Sequence, residues 1–96
     1  MFARVTTVQA SPNHIEEMLR YVREEVLPAN QAQAGFKGMH HLVDRKSGRM
    51  LGITLWETEE ALRATEDTAR ERRAGALGRG ASAEPTAEVY EVSFQA

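Results

Sequence analysis

The most informative pattern in this chain is a predicted strand that is apolar on both faces. Residues 50–56 read Met-Leu-Gly-Ile-Thr-Leu-Trp, with Ser47-Gly48 before them and Glu57-Thr58 after them. A strand with one wet face alternates apolar and polar residues, whereas this run does not. The rest of the chain predicts only two helices, which can cover one face of a sheet. We therefore expect a second copy of the chain to cover the other face.

The first third of the chain predicts a strand followed by a helix. The strand runs from Phe2 to Gln9, and Ser11-Pro12 supplies a helix N-cap and a first-turn proline. Apolar residues then recur at helical spacing, at Ile15, Met18, Leu19, Val22 and Val26. Pro28 should kink or interrupt this helix, and Gly35 should close its last turn.

Three more strands and a second helix follow. Residues 36–43 predict the second strand, residues 44–49 a hairpin connection, and residues 87–95 a final strand. Thr58 can cap a helix over residues 59–73, and residues 75–85 form the one flexible-looking segment. Two pairs of opposite charge stand four residues apart on that helix, Glu59 with Arg63 and Glu66 with Arg70.

The predicted order β-α-β-β-α-β is that of an α+β ferredoxin-like fold, with a four-stranded antiparallel sheet and two helices on one face. Because the helices occupy one face, we place Trp56 and its neighbours on the uncovered face. Leaving that face bare would expose an apolar patch larger than monomers usually show. The sequence thus predicts a homodimer formed through the sheet face.

Composition narrows the class of protein without identifying a substrate. The chain has 96 residues, of which 42% are hydrophobic and 27% charged, as expected for a single domain over residues 1–96. The net charge of −2 favours neither nucleic acid nor an anionic membrane as partner. There is no cysteine, no signal-peptide pattern and no apolar run of about 20 residues. We expect a cytoplasmic protein without metal or cofactor.

The motif Gly35-Phe36-Lys37-Gly38, followed by Leu55-Trp56-Glu57-Thr58, resembles the antibiotic biosynthesis monooxygenase (ABM) domain family. The resemblance implies a homodimeric α/β barrel, in which two sheets face each other and small hydrophobic ligands sit between sheet and helices. Some such proteins are cofactor-independent monooxygenases acting on quinols or anthrones, others degrade haem, and many have no established activity.

The site residues of either chemistry carry over poorly. Anthrone-oxidising relatives place an Asn before the strand-three Trp and a Tyr after it, where this chain has Gly52 and Leu62. They also place an Arg about twenty residues downstream, for which the candidates here are Arg72, Arg73 and Arg79. The haem-degrading positions fall near Ala3, Thr65 and Gly75, and no histidine follows His41. The resemblance therefore disfavours haem degradation.

The sequence offers one weak catalytic candidate, His41. Adjacent residues on a strand point to opposite faces, so His40 and His41 cannot jointly bind a metal. If the loop from Asp44 to Arg49 has an even number of residues, His41 lies on the Trp56 face and His40 on the other, whereas a bulge would exchange them. We assign a ligand pocket to Met39, His41, Thr54 and Trp56, with plain packing as the alternative. The basic cluster at residues 70, 72 and 73 predicts a solvated helix face.

Three functions remain open at this stage. The first is a cofactor-independent monooxygenase acting on a small aromatic or quinol substrate. The second is a non-catalytic or stress-related dimer that binds a small hydrophobic ligand. The third is a structural dimer, which a filled interior would favour.

Overall fold

The computed structural model describes residues 1–96 and shows the predicted α+β ferredoxin-like fold. Four antiparallel strands form one sheet in the order β2-β3-β1-β4. Their bounds are β1 Phe2–Gln9, β2 Phe36–Val43, β3 Arg49–Trp56 and β4 Thr86–Glu91. Two helical segments lie between β1 and β2 and between β3 and β4, as the element order predicts.

The first helical segment is continuous but not uniform. It consists of a 3₁₀ turn Pro12–His14, α1 Ile15–Tyr21, a π-helical turn Val22–Val26 and α2 Leu27–Gln31. Pro28 lacks an N–H and would clash with a regular helical turn. The wide π turn directly before it provides the space, and its last bond runs from the Leu27 N–H to the Val22 carbonyl. The proline therefore widens the helix rather than ending it.

The second helical segment is broken where the sequence predicts one helix. It consists of α3 Glu59–Ala64, α4 Glu66–Gly75 and a 3₁₀ turn Ala76–Arg79. The predicted cap is confirmed, since Thr58 Oγ1 accepts a hydrogen bond of 3.1 Å from the Ala61 N–H. The break falls at Thr65, whose hydroxyl donates to the Leu62 carbonyl at 2.7 Å.

One of the two predicted ion pairs is absent. Arg63 and Glu59 pair at 3.2 Å, as predicted. Glu66 does not pair with Arg70, which instead contacts Asp67 at 3.3 Å on the exposed surface. Glu66 pairs with Arg4 and Arg73.

The last strand is shorter than predicted. It ends at Glu91, which lies opposite Phe2 in the register with β1. One further bond joins the Val92 N–H to the Met1 carbonyl at 2.9 Å. Residues 92–96 lie outside the strand, and Phe94 is 83% exposed.

The placement of Trp56 on an uncovered face is wrong. Within the single chain Trp56 is 0% exposed, and it shares the helix-covered face with Met50 and Thr54. On the same face, Met50 packs in one core cluster with Ile15, Met18 and Tyr21 from the helical segment. The opposite alternation of β3 faces away from the helices and carries Leu51, Ile53 and Leu55. Both faces of β3 are apolar, but the helices cover the one that holds Trp56.

Candidate ligand cavity

A cavity of about 80 Å³, partly open to solvent, lies between the sheet and the helices. Its floor consists of side chains from alternate positions of β1, β2 and β3. One wall comes from the first helical segment, including Tyr21 and Asn30, and the other from α4, including Thr68. The cavity is thus enclosed by one copy of the chain.

Three of the four predicted pocket residues line this cavity. Met39 and Thr54 are direct partners in the β2–β3 register, and His41 lies opposite Gly52. Trp56 does not line the cavity, so its assignment to the pocket is corrected. Its indole N–H donates to Thr54 Oγ1 at 3.0 Å, and its ring meets Phe36 edge-on at 5.5 Å. Trp56 supports the floor of the cavity from the end of β3.

His41 lies on the cavity side, as predicted by an even hairpin loop. Its neighbour His40 pairs with Ile53 and is exposed on the uncovered face. Burial lowers the pKa of His41 below its ordinary value of 6.5. The imidazole is therefore neutral at pH 7 and can accept a proton.

Gly52 leaves space beside His41. A methyl group built on Gly52 would lie 3.6 Å from His41 Cδ2 and 3.7 Å from Met39 Cε, which are ordinary contact distances. A side chain at this position would therefore occupy the volume in front of the imidazole. The resemblance implies an Asn at this position in anthrone-oxidising proteins. Gly52 lacks the polar contact of that side chain and leaves the space beside His41 open.

Arg4 is a site residue that the sequence analysis missed. It lies on the helix side of β1, is 3% exposed and reaches the break between α3 and α4. Its guanidinium donates to Thr65 Oγ1 and the Leu62 carbonyl, both at 3.1 Å, and to Glu66 Oε2 at 2.9 Å. Burial lowers the pKa of Arg4 and the Glu66 carboxylate opposes this, yet an arginine stays charged. The sequence did offer one signal for this burial, since Arg4 stands at an alternate position of β1 between Phe2 and Thr6 and therefore lies on the same face as they do.

The prediction of a solvated basic face holds for Arg70 and is wrong for Arg72 and Arg73. The side chain of Arg73 is 14% exposed and donates to Glu66 Oε1 at 3.2 Å. Arg72 also lines the cavity, and its carbonyl accepts a hydrogen bond of 2.8 Å from the Tyr21 hydroxyl. Both residues lie on the inner side of α4.

The cavity carries an excess of positive charge. Arg4, Arg72 and Arg73 line it, and no aspartate or glutamate side chain does. The nearest compensation is the Glu66 carboxylate, which pairs with Arg4 and Arg73. Burial acts to raise the pKa of Glu66, but hydrogen bonds from Arg73 and Arg4 outweigh it and lower the pKa. One carboxylate thus faces two of the three cations.

The other positions suggested by the resemblance contribute little to the cavity. Leu62 is fully buried and does not line it. Arg79 lies outside it, with its guanidinium 5.5 Å from the centre of the Tyr21 ring and 3.3 Å from Glu25. Of the three candidate arginines, Arg72 and Arg73 reach the cavity.

Two further properties of the chain bear on its chemistry. No three His, Cys, Asp or Glu side chains are grouped so that they could hold a metal ion. No helix has the length and apolar character needed to cross a bilayer.

Solved structures with the same fold include several ABM proteins. A monooxygenase from the gene ActVA-Orf6 of Streptomyces coelicolor, solved with nanaomycin D, superposes with a TM-score of 0.79 at 17% identity, over 99% of this chain and 89% of that one. A further antibiotic biosynthesis monooxygenase gives 0.69 at 19% identity, over 98% and 100%. A Nitrosomonas europaea protein of unknown function, NE2512, gives 0.78 at 16% identity, over 99% and 91%. The chain has the fold of the ABM proteins, as the resemblance predicts.

Sequence comparison adds two uncharacterised relatives, both from Mycobacterium tuberculosis (strain ATCC 25618 / H37Rv). Rv2557 is 36% identical over 97% of this chain, and Rv2558 is 43% identical over 68% of it. The chain spans only 41% of the length of the first and 28% of the second. No protein-family model matches the chain.

Proposed function

We propose that this chain, which has the ABM fold, binds a small electron-rich aromatic molecule in the cavity and oxidises it with O₂, without a bound cofactor. The observation that carries the proposal is the cavity itself, which combines apolar walls, a neutral histidine and three arginines. A purely structural dimer would be favoured by a filled interior, which this chain does not have.

The chemistry follows from the two kinds of polar group in the cavity. His41 accepts a proton from a quinol hydroxyl, and the arginines stabilise the resulting anion. The electron-rich anion reduces O₂, one oxygen atom bonds to a ring carbon, and the other leaves as water. For the simplest quinol, hydroquinone and O₂ give 2-hydroxy-1,4-benzoquinone and water. Atoms and electrons balance with O₂ as the only oxidant.

Cavity size favours single-ring substrates. An engineered cavity of about 150 Å³ holds benzene, whereas this one measures about 80 Å³. A ring therefore enters only if lining side chains move, and the flexible thioether of Met39 is suited to do so. Hydroquinones should consequently be better substrates than three-ring anthrones.

Oxygen consumption measured with a panel of hydroquinones and anthrones tests this function. The wild-type chain should consume O₂ above the buffer rate, and His41→Gln should lose most of that rate. His40→Gln is the matched control, because His40 lies on the other face of the same strand. The wild-type rate should fall as the pH drops through the folded pKa of His41, which burial places below 6.5, because His41 then becomes protonated. A wild-type rate equal to buffer across the panel contradicts the proposal.

A second candidate is ligand binding without turnover. It is supported by Gly52 and Leu62, which stand where anthrone-oxidising relatives have polar partners for the substrate. Native mass spectrometry should then show a co-purifying apolar molecule, together with no oxygen uptake. A protein that carries no ligand and consumes O₂ excludes this alternative.

We also propose that two copies associate through the uncovered sheet face. This face carries Leu51, Ile53 and Leu55, and at its edge Leu42 is 50% exposed. Ile53→Asp should convert a dimer into a monomer in sedimentation at micromolar concentration. Leu77→Asp is the control, since Leu77 is a 51% exposed leucine on the 3₁₀ turn, outside the sheet. A monomeric wild-type chain contradicts this assembly.

A further inference from the structure

The three cavity arginines each hold a buried donor that no protein group satisfies. These donors are Arg4 Nε, Arg72 Nε and Arg73 Nη1. Buried donors are normally hydrogen-bonded, and one left unpaired destabilises the folded chain. All three belong to arginines that line one cavity without an aspartate or glutamate, and this positive charge indicates a group that the cavity receives.

The charges around the cavity define that group as an anion. Glu66 satisfies other atoms of Arg4 and Arg73 but does not reach their free donors. Arg72 has no carboxylate partner at all among the ion pairs of the chain. A single phenolate oxygen is small for three separate guanidinium groups. A carboxylate offers two oxygens and about four acceptor sites, which suits them better.

We infer that the cavity binds the carboxylate of a single-ring aromatic acid through Arg4, Arg72 and Arg73. This inference rests on the proposed function and narrows its substrate class, because it makes the substrate a quinol or phenol that also carries a carboxylate. The apolar part of the ring lies against the Met39 side of the cavity. The carboxylate fixes its orientation toward His41.

The test compares benzoate with benzamide, its neutral isostere, by isothermal titration calorimetry at pH 7. Wild-type protein should bind benzoate at least about tenfold more tightly, since the amide loses the charge-assisted bonds. Arg72→Met should bind benzoate more weakly and prefer it less strongly over benzamide, because Arg4 and Arg73 remain in the cavity. Arg70→Met removes the same charge from the exposed side of α4 and should retain the wild-type preference.

Stability separates a binding role of Arg72 from a structural one. Its side chain forms no hydrogen bond, and the bond from Tyr21 goes to its backbone carbonyl. Arg72→Met should therefore melt at the same temperature as the wild-type chain or higher, while its preference for benzoate is reduced. A structural arginine would give a lower melting temperature instead.

Several results would overturn the inference. They are equal binding of the two probes by the wild-type chain, an undiminished preference for benzoate in Arg72→Met, and no benzoate binding at about 10 mM. Tighter binding of inorganic phosphate than of benzoate would overturn the carboxylate assignment. The outcome is separable from the oxidation reaction, because a benzoate preference without oxygen uptake upholds the subsite while contradicting the oxygenase.

Discussion

Replacing Arg4 with methionine should destabilise the chain by a predictable amount. Arg4→Met keeps an unbranched apolar stem on β1 but removes three hydrogen bonds, to Thr65, Leu62 and Glu66. Bonds from a charged donor contribute about 1.5–3 kcal/mol each, so simple addition gives more than about 4.5 kcal/mol. The structure argues for less.

Two features lower the expected cost. The Leu62 carbonyl still accepts from Thr65, and Glu66 still accepts from Arg73, so neither acceptor is left without a donor. Glu66 is also 35% exposed, which screens its attraction to Arg4. Removing Arg4 further eliminates its own unpaired buried Nε. We expect a loss of about 2–3 kcal/mol in the free energy of unfolding.

Urea unfolding measures this loss as a lower midpoint with an unchanged m-value. The melting temperature should fall by about 10–20 °C, since each kcal/mol shifts it by about 4–8 °C in a domain of this size. Arg70→Met, at an exposed pair, should change stability by no more than about 0.5 kcal/mol. An Arg4→Met variant as stable as this control would refute the role of Arg4 as the link between β1 and the helix break.

Three other predictions concern stability. Trp56→Ala should lower the free energy of unfolding by about 3–5 kcal/mol at any protein concentration, because Trp56 is buried within one chain. A decrease in the urea midpoint that varies with protein concentration would contradict this. The pKa of Glu66 is lowered in the folded chain, so the stability that Glu66 contributes is present above its unfolded pKa and is lost as the pH falls through the folded value. On acid titration, Glu66→Gln should lose less stability than the wild-type chain, and an equal loss of stability would contradict this. Gly35→Ala should cost about 1–3 kcal/mol, because φ is +83° and the added Cβ would lie 2.6 Å from Ala61 Cβ, whereas calorimetry of Gly78→Ala, which meets nothing within 4 Å, should show no loss.

The sequence predicts the element order and strand register well because each depends on local signals. Pro12, Thr58 and the glycine-containing hairpin mark boundaries that the structure keeps to within a few residues. An even hairpin loop of six residues, 44–49 between the paired Val43 and Met50, was enough to place His41 on the cavity side. Periodicity and turn chemistry are short-range properties, so one chain suffices to infer them.

The choice of sheet face could not be made from β3 alone. Its two alternations, Leu51-Ile53-Leu55 and Met50-Thr54-Trp56, are both apolar, so hydrophobicity does not say which one the helices cover. The end of β4 follows from its pairing with β1, which reaches Glu91 opposite Phe2. Such outcomes depend on contacts between segments that are distant along the chain.

Arg72 and Arg73 were assigned to solvent because they are charged and interleaved with acidic residues. Helical spacing alone points the other way for Arg73, because eleven residues at about 100° each bring it back to within about 20° of the buried Leu62. Arg4 was missed because its bonds to Thr65 and Leu62 join segments about 60 residues apart, which no local pattern shows.

The central claim is that a small aromatic ligand binds between the sheet and the helices and not on the uncovered sheet face. Backbone amide chemical shifts recorded during titration with 1,4-hydroquinone under argon test it most directly. The largest chemical-shift changes should fall on cavity-lining residues such as Met39, His41, Thr54 and Thr68. Changes centred on Leu51, Ile53 and Leu55, with the cavity residues unaffected, would contradict it.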